Sequence, residues 1–310
     1  MIQCANQVHH PVHRTKVVCV LTCFNRKAVT LACLGALEAA GRYAQVELET
    51  IVVDDASTDG TAAAIRTQFP SIEVIDGSGT LFWNGGMYVG FGAALQRPTD
   101  YYLWLNDDTE LFPNALRSLL RQSEQLRQEA GTPVIIVGTT AERSSGRITY
   151  GGRARRSRWR RFKFELVWDK RQPVPCEAIE GNCVLIPREV AEIIGNFDPT
   201  YEHAMGDTDY GLRALSAGFR LFVAAGTVAY CSENSSVGTY HDDSLSLRKR
   251  WQLLHSRKGL PVRSWLHFTR RHGGLLWPLY FSWPYIRFFS SALRNLRPHR
   301  ATSATRTTIH

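Results

Sequence analysis

At 310 residues and 44% hydrophobic content, the chain has the size and apolar share of a globular protein with one large domain or two modest ones. Its net charge of +9 is uneven: residues 244–310 carry thirteen Lys or Arg and no Asp or Glu, leaving 24 basic against 28 acidic groups, −4 in all, before them. The tail asks for an anionic partner, nucleic acid or an acidic membrane surface, while the front is free to be an ordinary enzyme.

Residues 1–15 read as a tail. MIQCANQVHHPVHR lacks the apolar centre of a signal peptide, and nowhere do about 18 uninterrupted apolar residues occur to span a bilayer. Secretion through a cleaved signal is thereby disfavoured. The seven cysteines are scattered, odd in number and without a Cys-x-x-Cys pair, which argues against a zinc site or disulfide framework and for a reducing compartment.

Residues 16–24 (KVVCVLTCF) form a continuous β-prone run, and 26–40 have helical spacing through Val29, Leu31, Leu34 and Leu37, with Gly41 as the expected stop. Residues 49–53 read as a strand, 61–69 as a helix capped by Ser57 or Asp59, and 72–75 as a short strand. A helix over 86–96 leads to a strand at 101–105, and 112–128 is helical with Pro113 in its first turn. After a strand at 134–137, the Arg-rich and aromatic stretch 147–171 reads as an exposed hairpin or loop. A strand at 182–186, a helix from Pro187 to about Gly195, a helix over 208–217 and a strand at 220–223 complete the pattern. Strands alternating with helices imply a mostly parallel, doubly wound α/β sheet with helices on both faces, spanning 16–243.

From 244 to 300 the chain is basic and aromatic and reads as a helical extension, followed by a disordered tail at 301–310. LLWPLYFSWPYIRFFSSAL (275–293) is broken by Pro278, Pro284 and Arg287, so it reads as an interfacial segment on anionic lipid or as a helical subdomain packed on the core. Nucleic-acid binding through phosphate contacts and base stacking is not expected, because no recognisable module accompanies it.

Ligands of such sheets lie beyond the carboxyl ends of the strands. The polar residues collected there are Thr22, Asn25 and Arg26, then Asp54 and Asp55, then Asn106, Asp107 and Asp108. Adjacent carboxylates repel, so the two Asp pairs ask for a cation or hydrogen-bond donors. A hard ion such as Mg²⁺ or Mn²⁺, held by one or two carboxylates with substrate phosphate completing its shell, suits Asn106 and Asp108; helix capping by Asp108 or Thr109 is the plainer alternative. Gly85 and Gly86 stand ahead of a helix, where backbone N–H groups can approach a diphosphate. Asp207 and Asp209 sit at the start of another helix, where the dipole favours their charge. An Asp209–Arg213 pair would leave Asp207 as a candidate general base.

The ordered series TCFNR, VVDDASTDGT, WNGG, WLNDDT and GDTDYGLRA, over roughly residues 16–225, resembles the family 2 inverting glycosyltransferases of the GT-A fold. The Asn-x-Asp form of its metal motif most resembles the rhamnosyltransferase-like branch. The resemblance implies that Thr22, Asn25 and Arg26 lie near the nucleotide, with Asp54 at the base. It places Asn84 and Gly85 at the diphosphate and sugar, Asn106 or Asp107 near the ribose, Asp108 on the metal (Mg²⁺ or Mn²⁺) and Asp207 as catalytic base. Gly206 stands where the family has its first acidic residue, and Tyr230 where many relatives have a metal-binding His; His241 is the nearest alternative, with a plain surface histidine as the other reading.

The function implied is transfer of a sugar, rhamnose from a dTDP donor being favoured, from a nucleotide-diphospho-sugar to a hydroxyl of a saccharide or lipid-linked saccharide in cell-surface polysaccharide synthesis. The expected location is cytoplasmic and peripheral on the inner face of the cytoplasmic membrane, against its anionic surface; a homo-oligomer is left open. A nucleotidyltransferase is one rival, although TCFNRKAVT lacks the glycine-rich loop it needs. A noncatalytic membrane-surface or nucleic-acid binding protein is the other, and it gives no reason for carboxylates at successive strand ends.

Overall fold

Strand β1 (Lys16–Cys23) and helix α1 (Lys27–Ala44) begin an alternation continued by β2 (Glu47–Asp54), α2 (Thr61–Gln68), β3 (Glu73–Asp76), α3 (Phe82–Ala94) and β4 (Tyr101–Leu105). Period-2 alternation of apolar residues sends Val17, Cys19 and Leu21 of β1 to one face and Val18 and Val20 to the other. The first face is covered by Leu34 and Leu37 of α1, Ile65 of α2 and Leu116 and Leu119 of α4 (Ala115–Ala130). The second is covered by Met87 and Phe91 of α3 and, further along the chain, by Val190 of α5 (Arg188–Ile194) and Tyr210 of α6 (Gly206–Ser216). Each fully buried Leu in these layers contributes about 2 kcal/mol of transfer free energy. The computed structural model describes residues 14–295 except Arg158 and Ser236, and for 291–295 the backbone alone. Most of the expected 1–15 tail and all of the 301–310 tail lie outside the described residues.

The remaining strands are β5 (Glu110–Leu111), β6 (Val134–Ala141), β7 (Gly152–Arg155), β8 (Phe164–Val167), β9 (Val174–Cys176), β10 (Ala178–Ile179), β11 (Cys183–Pro187) and β12 (Arg220–Tyr230). The main sheet has nine strands in the order β3-β2-β1-β4-β11-β6-β12-β5, with β9 also on β12. It is mostly parallel, as expected, but β11 runs antiparallel between β4 and β6. The 147–171 stretch forms the β7–β8 hairpin, extended by β10 into a three-stranded sheet.

Three local expectations fail, two for steric reasons and one through strand pairing. Gly41 does not stop α1: a Cβ there would lie 2.8 Å from Leu48 Cδ2, so glycine lets the helix rest on β2. The helix runs on to Gln45, which takes the left-handed conformation at φ 58°. Gly85 and Gly86 lie inside α3, which starts at Phe82. A Cβ on Gly86 would come 2.2 Å from Thr22 Oγ1, so this glycine serves helix–strand contact. Pro113 precedes α4, because residues 110–111 are drawn into pairing with β12.

The chain divides into two compact units, Met1–Ser236 and Val237–His310. In the second, α7 (Leu247–Leu254), α8 (Val262–His272) and α9 (Trp277–Asn295) carry the basic, aromatic sequence. Trp265 of α8 donates its indole N–H to the Phe281 carbonyl at 2.9 Å, and Pro284 lies inside α9 without ending it. No helix among the described residues is long and apolar enough to cross a membrane.

Candidate active site

β1 pairs in parallel with β2 on one side and β4 on the other, so the crossovers part beyond the carboxyl ends of β1 and β4. Arg26 leaves β1 at that point, and Asp107 and Asp108 leave β4. Arg26 Nη1 donates to Asp107 Oδ1 at 2.8 Å and Nη2 to Asp108 Oδ2 at 2.7 Å. The cation that makes adjacent carboxylates tolerable is therefore a guanidinium from 81 positions earlier in the chain. Burial pushes the Asp107 carboxyl up to about 7 despite Arg26. Asp108 is the more open of the two, and its other oxygen faces the Cys231 sulfur at 3.4 Å.

The end of β2 joins the same rim. Asp54 Oδ1 accepts from the Ser57 N–H at 2.6 Å, while its buried Oδ2 has no hydrogen-bond partner among the described residues, a cost of about 1–3 kcal/mol that a bound donor group would relieve. Asp55 explains its adjacency differently: its carboxylate accepts from the N–H groups of Gly79, Leu81 and Phe82 and shapes the loop into α3. Asn25 ties the end of β1 to this rim, donating its N–H to Ser57 Oγ and accepting from the Thr58 N–H. Thr22 donates to the Val53 carbonyl at 3.1 Å and packs under Gly86. Backbone strain gathers in these connections: Asn25, Ala56, Phe82 and Met205 all have positive φ, an arrangement costing about 1–3 kcal/mol per residue that is typical of ligand sites.

Asn84 does not face a ligand space. It is fully buried, and its amide donates to the Tyr201 and Asp198 carbonyls at 2.7 and 3.1 Å. Its Oδ1 sits 1.7 Å from where a Cβ on Gly206 would be, so residue 206 is glycine because Asn84 fills the space of any side chain. Gly85 lies in the first turn of α3 against Leu81. Asn106 uses its Oδ1 to accept from Trp83 Nε1 at 2.7 Å.

Asp207 opens α6. Its Oδ2 accepts from the Gly181 N–H at 3.0 Å and its Oδ1 from the Thr208 N–H at 2.7 Å. Burial raises its carboxyl above the ordinary carboxylate range, with the backbone donors opposing. The neighbouring Asp209 pairs with Arg213 at 2.8 Å, as its spacing suggests, and accepts from the Tyr201 hydroxyl. Asp207 connects to the rim through Gly181, whose absent Cβ leaves room for the Trp83 ring that in turn holds Asn106. Asp54, Asp108 and Asp207 thus belong to one continuous set of strand-end connections.

Tyr230 is not turned to the site: its ring packs on Phe112 at 4.8 Å and under Arg143. The next residue, Cys231, is the one beside Asp108. His241 belongs to the second unit, where its ring lies 4.0 Å from Tyr240 and burial lowers its proton affinity, with Arg250 and Arg287 adding to that. Among the described residues no three His, Cys, Asp or Glu side chains gather to hold an ion unaided. What the residues fit is a hard ion sharing an Asp108 oxygen and taking its other ligands from a diphosphate and water.

The family model described as glycosyl transferase family 2 matches residues 18–192. The chain belongs to glycosyl transferase family 2. The match includes Arg26, Asp54 and Asp108 and stops short of Asp207. No curated protein sequence matches this glycosyltransferase. Among solved structures it is similar to the mannosyltransferase PcManGT from Pyrobaculum calidifontis in complex with GDP-Man and Mn²⁺, at 16% identity and TM-score 0.54, over 92% of this chain and 76% of that one. It also matches TarS 1–349 from S. aureus at 14% identity and TM-score 0.49, over 70% of this chain and 60% of that one. The enzyme is thus a nucleotide-sugar glycosyltransferase with the GT-A fold.

Sequence reasoning missed three groups in this glycosyltransferase. Glu180 is a largely buried carboxylate beside Asp207. It accepts from Arg153 and from the Gly151 N–H, and burial pushes its carboxyl up, with Arg153 opposing and the Asp207 charge adding to the rise. The polar triplet Glu180–Gly181–Asn182 ahead of an apolar strand was its only signal. It reaches the rim because β11 is antiparallel and brings its amino end there. Trp83 and Cys231 likewise show their place only once the strands are ordered.

Proposed function

We propose that the enzyme is an inverting, metal-dependent glycosyltransferase that moves a sugar from a nucleotide-diphospho-sugar to an acceptor hydroxyl. The observation that carries this reading is the pair of Asp107 and Asp108 at the switch point of the sheet, with Asp207 held on the same rim by neutral backbone donors. Asp54, with its unsatisfied oxygen, receives the nucleotide base, and Asn25 and Arg26 border the nucleotide. Asp108 holds Mg²⁺ or Mn²⁺, and Asn106 and Asp107 lie toward the ribose. When bound, the ion supplies Lewis-acid stabilisation of the departing diphosphate. Asp207 accepts the proton of the acceptor hydroxyl as its oxygen forms the new bond to the anomeric carbon, on the face opposite the breaking bond to the diphosphate oxygen. No covalent bond to the protein forms.

Rhamnose from a dTDP donor is the favoured sugar, on the Asn106–Asp107–Asp108 form of the motif, and a saccharide or lipid-linked saccharide of cell-surface polysaccharide is the favoured acceptor. Nucleoside diphosphate release, measured with dTDP-rhamnose, GDP-mannose and UDP-sugars against soluble and lipid-linked acceptors, tests this. Turnover of dTDP-rhamnose that EDTA abolishes is expected; no turnover of any nucleotide sugar would overturn the reading.

The membrane-surface part of the reading rests on α9. Leu279, Trp283, Ile286 and Phe289 recur every three or four residues and are all exposed, following the almost fully exposed Leu275. Arg270, Arg271 and Arg287 are exposed nearby in the sequence. An apolar stripe with flanking Arg suits a helix lying in an anionic lipid interface. Flotation with phosphatidylglycerol vesicles should carry the protein upward, and the double variant Leu279→Ser/Trp283→Ser should reduce that. Equal flotation of both proteins would count against α9 as the contact.

A further inference from the structure

Both oxygens of Asp108 already have a neighbour. Oδ2 accepts from Arg26 and Oδ1 faces the Cys231 thiol, while Asp107 Oδ1 is also taken by Arg26. The guanidinium fork spans two different carboxylates at once, an arrangement a lysine cannot reproduce with one ammonium. Arg26 is anchored by its backbone, its carbonyl accepting from both the N–H and the hydroxyl of Thr30 at 2.9 Å, but its side chain is 43% exposed. The backbone is held while the charge stands at the mouth of the crevice. A divalent ion arriving alone would meet a place already filled by a cation, with too few protein ligands to compensate. A diphosphate brings two or more negative charges, which would satisfy both the incoming ion and a displaced guanidinium.

We propose that Arg26 is an exchangeable counter-ion, bound to Asp107 and Asp108 in the donor-free enzyme and transferred to the donor diphosphate when it docks, so that the ion enters only together with the donor. This rests on the glycosyltransferase reading of the rim and adds an order of binding to it. Arg26 then serves two anions in succession, first closing the carboxylates to free metal and afterwards neutralising the diphosphate. The exchange conserves charge at the rim: the carboxylates trade a guanidinium for the ion, and the guanidinium trades carboxylates for phosphate oxygens.

The test is Mn²⁺ binding, read from the electron paramagnetic resonance signal of free Mn²⁺, for wild type, Arg26→Gln and Arg26→Lys. Each is measured without nucleotide and with dTDP, GDP or UDP, the latter relative to protein-free solutions of the same nucleotide, which chelates Mn²⁺ by itself. Without nucleotide, Arg26→Gln should bind Mn²⁺ about tenfold more tightly than wild type. Asp108→Asn in the Arg26→Gln background should abolish that gain. Arg26→Lys, a smaller change for which folding is the lesser concern, should fall between the two. Nucleoside diphosphate should strengthen Mn²⁺ binding to wild type more than to Arg26→Gln. Equal Mn²⁺ affinity of wild type and both variants without nucleotide, in proteins of unchanged circular dichroism, overturns the proposal alone. If no nucleoside diphosphate strengthens Mn²⁺ binding to any of the proteins, the glycosyltransferase reading of the rim falls, and the exchange with it.

Discussion

Two groups of carboxylates stand on one rim of the sheet and are stabilised in opposite ways. Asp107 and Asp108 share a guanidinium, so their charge is matched by charge. Asp207 is held by the backbone N–H groups of Gly181 and Thr208, and no Lys, Arg or His among the described residues forms an ion pair with it. A pair of carboxylates sharing one guanidinium is a good place to exchange one cation for another, although burial still pushes Asp107 up to about 7. A carboxylate held by neutral donors and lifted in pKa by burial keeps its affinity for a proton. The difference divides the site into a donor-side corner and a base corner.

Substitutions can break this division. Asp207→Asn should lower kcat by about 10³-fold while Mn²⁺-dependent nucleotide binding stays near wild type; a comparable loss of binding would put Asp207 in the donor corner. Asp108→Asn should weaken Mn²⁺ binding in the presence of nucleoside diphosphate by about 10²-fold, measured by titration calorimetry. Gly206→Ala forces a Cβ onto Asn84 Oδ1 and should cost about 1–3 kcal/mol in urea unfolding, with Asn84→Ala in the same chain recovering part of it. The smallest effect concerns pH. Asp207 works as a base only when ionised, and burial raises its pKa, so kcat should fall on acidification through a value above the ordinary carboxylate pKa of about 4. A limb at or below that value would contradict the burial of the base.

The layers of the fold were legible because residues 16–24 form a continuous β-prone run and apolar residues return every three or four positions on α1. Strand ends were legible too, placing Asp54 at the end of β2 and Asp108 just past β4, while Asp207 was legible as the start of a helix. Glycines misled most. Gly41 looked like a helix stop and Gly85–Gly86 like a phosphate loop, yet Gly41 and Gly86 serve close contact with Leu48 and Thr22, a matter of tertiary approach that no local pattern records. The family resemblance put Asn84 at the diphosphate and sugar, but its amide donates to the Asp198 and Tyr201 carbonyls and closes the 198–206 loop. The absent acid at Gly206 could not be understood until Asn84 was seen to fill its place. Glu180 and Cys231 depend on strand order: one arrives on an antiparallel strand, the other at the far end of β12. The doublet of Asp107 and Asp108 asked for a cation or hydrogen-bond donors, and that Arg26 meets it is a long-range fact.

The most direct test of the donor corner is anomalous diffraction from crystals grown with Mn²⁺ and a nucleoside diphosphate. A manganese peak bonded to an Asp108 oxygen and to the diphosphate, with Arg26 turned to the phosphate, is the expected result. Manganese elsewhere, or a nucleotide bound with Arg26 still bridging Asp107 and Asp108, would contradict the account.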